Sequence, residues 1–418
     1  MALTLTVASG PPDALARTSH LALGPQGLEE RRSTVQVRPG VTWTRIVRGR
    51  SSRDRTGPWV VNVLRIDRAQ LSGRLSAVLS NGRVTGTETT SSMARRTGAA
   101  AGVNGGFFVS RGLGGGDPVG ALALGESLVS ESTDGRAALL LPRAAGTPAR
   151  VASLRFRGRA TVGASSRAVD GVDRVPGRVP ACGGRGGDRP TQRPRHHLIC
   201  ADPSELVVLS PRFGSTTPGG PSRIELVVRG GQVVGRRVGV GTPIPSDGYV
   251  LSGIGTAGRF LRAAGPPGTP ASTSTQLLDG GTPVSLADHE AVVGGGPRLL
   301  RGGRVAVRGG PEGFTADRAL RQGFTDGRNP RTLAGVTAGG GVRLVTVDGR
   351  RPGYSVGVTL REAARLIRSL GAREALNLDG GGSSTMVVRG AVVNRPSDPT
   401  GERGVGDGIF VLPEAGAG

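Results

Sequence analysis

The chain lacks lysine altogether: its 54 basic residues are all arginine, set against 31 Asp and Glu, for a formal net charge of +23 over 418 residues. Without lysine, none of its glycine runs can be the G-K-[ST] loop that cradles nucleotide phosphates. No glycine run carries a dinucleotide fingerprint with its following acidic residue either, which argues against redox and NTP chemistry. Aromatic residues are only 3 % of the chain. Arginines such as Arg143, Arg150, Arg155, Arg157 and Arg159 are scattered and have no aromatic stacking partners. The charge therefore does not read as a specific nucleic-acid surface, although its field would attract phosphate-bearing polymers. Total replacement of Lys by Arg reads as codon usage in a GC-rich genome. There are only 4 histidines, and without a histidine cluster zinc and iron are disfavoured. No apolar run is long enough to span a bilayer, so no transmembrane segment is expected.

The 2 cysteines, Cys182 and Cys200, flank a Gly/Arg/Pro-rich segment that cannot build a core. A disulfide closing this loop would stabilise it by roughly 3 kcal/mol in the chain-entropy model and would imply an oxidising compartment. Two unrelated free thiols are the alternative. His196 and His197 lie inside the loop, but the spacing matches no closed zinc pattern. Met1 to Gly10 lacks the basic and apolar regions of a signal peptide. A secreted or cell-envelope protein whose signal is not visible in this chain is the favoured reading.

What is abundant is glycine, 73 residues, punctuating short Val/Leu runs. That pattern predicts a β-rich fold. Residues 1–40 read as a flexible N-terminal extension, residues 41–418 as the folded domain, and about 163–200 as an irregular surface insertion. The best helix is expected from Thr359 to Leu370. Thr359 and Glu362 form its capping box, Leu360, Ala363, Ala364, Ile367 and Leu370 share a face, and Gly371 stops it. A shorter helix is expected within Thr90 to Ala100, capped by Thr90 or Ser91. The fold class is α/β with α+β character: β-rich mixed sheets with a few packed helices.

Two glycine turns stand out. Leu376 to Met386 reads as a buried strand ending on Asp379, then Gly380-Gly381-Gly382, then Ser383, Ser384 and Thr385. Val103-Asn104-Gly105-Gly106-Phe107-Phe108 repeats the theme. Each turn could be merely tight, with Asp or Asn capping its own backbone, or could bring a polar residue to a ligand. Gly353-Tyr354-Ser355-Val356-Gly357 matches a nucleophile elbow, but every histidine lies upstream of Ser355, so the elbow fold is excluded. Polar residues gather near the C-terminus: Asp348, Asp379, Ser383, Ser384, Thr385, Asn394, Ser397, Asp398, Glu402, Arg403 and Asp407. Acetal cleavage needs two carboxyls, which Asp379 and Glu402 could supply. Arginines would hold an anion by bidentate hydrogen bonds. No cofactor is required, although carboxylates and carbonyls could hold calcium.

Taken together, the chain resembles the phosphodiester glycosidase family from about Val41 to Leu412. The resemblance rests on Val103 to Phe108, Arg328-Asn329-Pro330-Arg331-Thr332, Val347-Asp348-Gly349-Arg350, Asn377 to Met386, Asn394 to Asp398, and Gly401-Glu402-Arg403. It implies an α/β fold around mixed sheets and hydrolysis of a sugar-1-phosphodiester to free sugar and phosphomonoester. Carried over by position, Asn104, Arg331, Thr332, Asp348, Asp379, Ser383, Glu402 and Arg403 would line the site. Residue chemistry, not the resemblance, suggests Asp379 or Glu402 as general acid with the other as base or nucleophile, Asp348 as a further catalytic carboxyl, and Arg331 with Arg403 on the phosphate; Gly105, Gly381 and Ser384 complete the expected substrate-binding set. A phosphodiester-linked envelope polysaccharide is the expected partner. A non-catalytic protein that binds an anionic envelope glycan on the same scaffold is the alternative.

Overall fold

The computed structural model describes residues 20–50, 57–183 and 194–414. It is a mixed α/β fold dominated by strands. The largest sheet runs in the order Glu30–Arg38, Val41–Arg48, Trp59–Ile66, Val342–Val347, Arg331–Thr337, Ala372–Asn377, Arg298–Arg301, Arg304–Val305. Trp59–Ile66 is apolar at nearly every position because both of its faces are covered. Val61 and Val63 point to one layer, Leu64 and Ile66 to another.

The first layer contains the helix Leu360–Ser369. Thr359 accepts from the Glu362 N–H at 3.1 Å, and Glu362 returns the bond to the Thr359 N–H at 2.9 Å. Leu360, Ala363, Ala364 and Ile367 then pack on Leu333, Val345 and Val347 of the sheet. Full burial of Leu360 or Ile367 contributes roughly 1.5–3 kcal/mol each. The helix links Val342–Val347 to Ala372–Asn377, and Arg331–Thr337 lies between those two strands, antiparallel to both. This is a split β-α-β unit, and it carries Asp379 at its exit.

The second layer is the main core, shared with two further sheets. One has the order Ala391–Val392, Met386–Val388, Ala101–Asn104, Asp407–Leu412, Arg74–Leu79. The other includes Leu122–Leu124, His289–Gly294, Ala137–Pro142, Arg150–Val162 and Ala271–Asp279. Leu376, Leu378, Val103, Ile409, Leu139 and Val293 meet between them. The short helix Thr90–Arg96, capped by Thr89 rather than by a residue within it, covers the outer face of the sheet containing Asp407–Leu412. A separate five-stranded sheet, Gly171–Val172, Leu206–Leu209, Gly248–Gly253, Arg223–Arg229 and Gln232–Gly239, packs on the helix Gly255–Ala263.

Two boundaries differ from the sequence expectation. The flexible extension of residues 1–40 does not reach residue 40: Glu30–Arg38 is a paired edge strand, and Leu21 and Leu23 are buried in the helix layer. Arg48 anchors this segment, donating to Leu23 O at 2.6 Å and Pro25 O at 2.9 Å and pairing with Glu30 at 3.2 Å. Residues 1–19 lie outside the described residues. The expected irregular insertion contains short strands: Ser165–Val169 pairs with Arg150–Val162, and Arg178–Pro180 pairs with Ile199–Ala201. Its residues 184–193 lie outside the described residues.

Candidate functional site

Three chain segments end at one point. The strand Ala101–Asn104 leaves its sheet into Gly105-Gly106, Ala372–Asn377 leaves the largest sheet into Leu378-Asp379, and Asp407–Leu412 begins there. Backbone bonds lock them together: the Asp379 N–H donates to Gly105 O at 3.1 Å, and the Gly105 N–H donates to Asp407 O at 2.9 Å. Asn104 is the hub. From a fully buried position its amide donates to Asp379 O at 2.8 Å, and its oxygen accepts from the Thr332 hydroxyl at 2.6 Å and the Thr385 N–H at 3.1 Å. Asn104 and Thr332 therefore position Asp379, and their polar atoms are already engaged.

Two glycines permit close approaches that no other residue could. A Cβ on Gly105 would lie 1.7 Å from the Asp407 carboxylate oxygen, and one on Gly382 would lie 2.1 Å from that of Asp398. Gly381 holds a positive φ of 62° and donates to Pro330 O at 2.9 Å, which fixes the glycine turn against the start of the central strand.

Asp379 opens on a cavity of about 330 Å³. Its lining comes from Phe107 to Arg111, from Arg403, and from Pro180, Ala181 and His196 to Ile199, with the Phe107 and His196 rings packed 4.3 Å apart. Although Asp379 as a residue is only partly buried, its carboxyl is enclosed, and burial pushes its pKa up to about 6. The Ser383 hydroxyl, the Gly380 N–H at 2.8 Å and the Arg403 charge oppose that shift. The Ser383 hydroxyl faces the carboxyl without a well-aligned hydrogen bond. The buried hydroxyls of Ser383, Ser384 and Thr385 all lack a hydrogen-bond partner.

The second carboxyl beside Asp379 is Asp407. It is buried, it accepts from the Gly106 N–H at 3.0 Å, and its pKa is pushed up to about 6, first by burial and further by the Asp379 charge. Two like charges in one enclosed site resist simultaneous ionisation. Asp407 stood among the C-terminal polar residues with no role in the sequence reading. The one signal for it is an acidic residue set between glycines, Gly406-Asp407-Gly408, at a strand start.

Other expected site residues lie elsewhere. Glu402 does not face Asp379: its carboxylate accepts from the Ser91 N–H at 2.7 Å, capping the helix Thr90–Arg96, where a negative charge is favoured. Asp348 is buried and ties down a loop, accepting from Asn394 at 3.0 Å, the Arg395 N–H at 3.1 Å and Tyr354 at 3.0 Å. Burial raises its pKa, and these three bonds hold it back. Arg331 is a buried clamp. It donates to Val358 O at 3.2 Å and Gly327 O at 3.2 Å and also to Phe324 O, with its guanidinium 4.9 Å from the Phe324 ring. Burial, then Arg350, pushes it down to about 9. Arg403 does line the cavity, held by Asp398 through bonds of 2.7 and 2.9 Å. Arg111, absent from the sequence reading, lines it too and makes no ion pair among the described residues. Ser355 of the elbow-like motif is buried, donating to Asp348 O at 2.6 Å and accepting from the Val60 N–H at 3.1 Å, so its hydroxyl is used structurally.

Cys182 and Cys200 form a disulfide with 5.0 Å between their Cα atoms. It staples a segment that lines the Asp379 cavity. His196 is wedged among Phe107, Phe314 and Phe324, at ring distances of 4.3, 4.4 and 5.0 Å. Burial and the nearby Arg136, His197 and Arg331 hold its pKa well below the usual histidine range, so it is neutral. His197 pairs with Asp317 at 3.0 Å. Among the described residues no three His, Cys, Asp or Glu side chains converge on a metal position, and no helix is long and apolar enough to cross a membrane.

Comparison with known proteins points the same way. The phosphodiester glycosidase family profile matches residues 222–412, which include Asp379, Arg403 and Asp407. A Burkholderia pseudomallei protein described as exported is 31 % identical, with 94 % of this chain and 98 % of that chain covered, at a TM-score of 0.86. A hypothetical protein of Synechocystis is 23 % identical over 93 % of this chain and 69 % of that chain, TM-score 0.69, and shares the fold. The catalytic domain of zebrafish N-acetylglucosamine-1-phosphodiester alpha-N-acetylglucosaminidase, at 14 % identity over 95 % of this chain and 87 % of that chain, superimposes with a TM-score of 0.42, too remote to carry an argument. No curated protein matches.

Proposed function

We infer, from the match of residues 222–412 to the phosphodiester glycosidase family, that this chain hydrolyses the bond between an anomeric sugar carbon and a phosphodiester oxygen. The observation that carries this is the 330 Å³ cavity in which Asp379 is the lining carboxyl and Arg111 and Arg403 are the lining arginines. An anionic linkage fits two guanidinium groups, and a carboxyl at a pKa of about 6 can exchange a proton near neutrality. The leaving group is a phosphomonoester whose second pKa is about 6, so it departs without much help from an acid. The harder task is activating water. In this reading Asp379, ionised, takes a proton from the attacking water. The new C–O bond forms at the anomeric carbon, the old one breaks, and its electron pair leaves on the phosphate, which Arg111 and Arg403 hold. Asp407, also raised to about 6, fixes the Gly105-Gly106 turn by accepting from the Gly106 N–H.

The disulfide and the relative described as exported support a secreted or envelope location, where phosphodiester-linked glycans would be the substrate.

The test is release of free sugar from a sugar-1-phosphodiester. Wild-type kcat should climb with pH up to about 6 and then level off, as the pKa of Asp379 requires. Asp379→Asn should lower kcat by about 10²–10⁴, while Glu402→Gln should stay within a few-fold of wild type. Full activity in Asp379→Asn would overturn the assignment.

A further inference from the structure

A groove larger than the Asp379 cavity lies elsewhere on the described residues. It measures about 1080 Å³, shares no lining residue with that cavity, and follows the strand Arg150–Val162 toward Arg298–Arg301. Alternation along a strand puts every second side chain on one face, about 6.8 Å apart. Here that rule brings Arg155 and Arg157 to the open face, while Phe156 between them turns inward and is 7 % exposed.

Five arginines line the groove, Arg150, Arg155, Arg157, Arg298 and Arg301, against two acids, Asp279 and Glu374, a local excess of three positive charges. Both acids are already committed: Asp279 pairs with Arg150, and Glu374 pairs with Arg298 at 2.6 Å. Arg157 and Arg301 are exposed and make no ion pair among the described residues. Arg298 is only 7 % exposed and already committed, pairing with Glu374 at 2.6 Å and donating to Val151 O at 2.9 Å, so it shapes the groove without facing a ligand.

We propose that this groove is a second binding site, an exosite for an extended phosphodiester-linked polymer of the alditol-phosphate kind, read through its phosphates by the exposed Arg157 and Arg301. Guanidinium groups recognise phosphate in a planar, two-bond geometry. The lining holds no exposed aromatic ring, whereas single-stranded nucleic acid sites stack bases on such rings. The absence of a ring platform also disfavours a neutral sugar chain. The identity of the polymer rests on the glycosidase reading above; the anion site itself does not. On this assignment the polymer is held at the groove through its backbone phosphates while a sugar-1-phosphodiester unit joined to it reaches the Asp379 cavity, the alditol linkages themselves having no anomeric carbon to cleave.

The experiment measures anisotropy of a fluorescent poly(glycerol phosphate) chain with the full-length protein at about 0.15 M salt. The double variant Arg157→Glu/Arg301→Glu should weaken binding at least tenfold. A surface control of identical charge change on a distant strand, Arg236→Glu/Arg237→Glu, should leave binding within twofold, and so should Asp379→Asn. Equal weakening by both arginine pairs would reduce the site to bulk charge and overturn the proposal. So would oligothymidylate of matched charge binding as tightly and responding to the same double variant. Turnover of a monomeric sugar-1-phosphodiester separates the two readings. The groove variant should retain it, and its absence in wild type alongside groove-dependent polymer binding would sink the glycosidase reading while leaving the groove intact.

Discussion

Asn104 carries more of the site than its size suggests. Its three hydrogen bonds join Asp379, Thr332 and Thr385 from a fully buried position. Asn104→Ala would leave a carbonyl, a hydroxyl and an N–H without their partner, and each buried unsatisfied group costs about 1–3 kcal/mol. A loss of about 3 kcal/mol or more in urea unfolding is therefore expected, with kcat falling more than KM rises, because what Asn104 holds is the backbone of Asp379. Loss of stability below about 1 kcal/mol would mean the hub is dispensable. Residue types at this point were readable in the sequence: an acid and an amide each followed by glycines. Their partners were not. Glu402 and Asp407 are both acidic and five positions apart, and only the path of the chain turns one toward a helix start and the other toward Asp379.

At the scale of elements, the lining of the Asp379 cavity depends on a covalent staple. The loop between Cys182 and Cys200 spans 18 positions, for which the chain-entropy model gives roughly 3 kcal/mol. The double variant Cys182→Ser/Cys200→Ser should speed hydrogen exchange across the paired strands Arg178–Pro180 and Ile199–Ala201 by about two orders of magnitude. On the proposed function it should raise KM more than it lowers kcat, because these residues line the cavity without hydrogen-bonding Asp379. Unchanged exchange would show that the aromatic packing of His196 suffices. The cysteine pair and the capping box of Leu360–Ser369 were both legible locally, since each depends on residues close in the chain. That the stapled loop lines the Asp379 cavity was not legible, because about two hundred residues separate the two.

For the whole molecule, buried acids set the pH response. Burial pushes Asp117 up to about 8 and Asp173 up to about 7, and Asp379 and Asp407 reach about 6. Each is raised above its unfolded value near 3.8, so the folded state binds more protons between the two. The stability these groups contribute is full below about 4 and is lost as pH rises through their folded values. In the opposite direction, Glu88 and Glu362 are held low by Arg96 and Arg328, and their contribution disappears in acid. Thermal stability should accordingly peak near about pH 4 and decline from there to about pH 8, most steeply below about 6 where all four acids contribute. Asp117→Asn should flatten the upper part of that decline; a melting temperature constant from pH 5 to about 8 would show these acids ionise freely.

Local pattern alone carries the strand-rich character, the capped helix, the glycine turns and the acid just past the strand Ala372–Asn377. These follow from periodicity, capping and backbone sterics, all of which act over a few residues. Only the tertiary structure decided which arginine is a buried clamp, Arg331, and which face the cavity, Arg111 and Arg403. It also decided which acid stands beside Asp379. Side-chain direction at a strand end depends on the register with neighbouring strands, and desolvation depends on what closes over the site. Both are set by segments distant in the chain, so no local pattern encodes them.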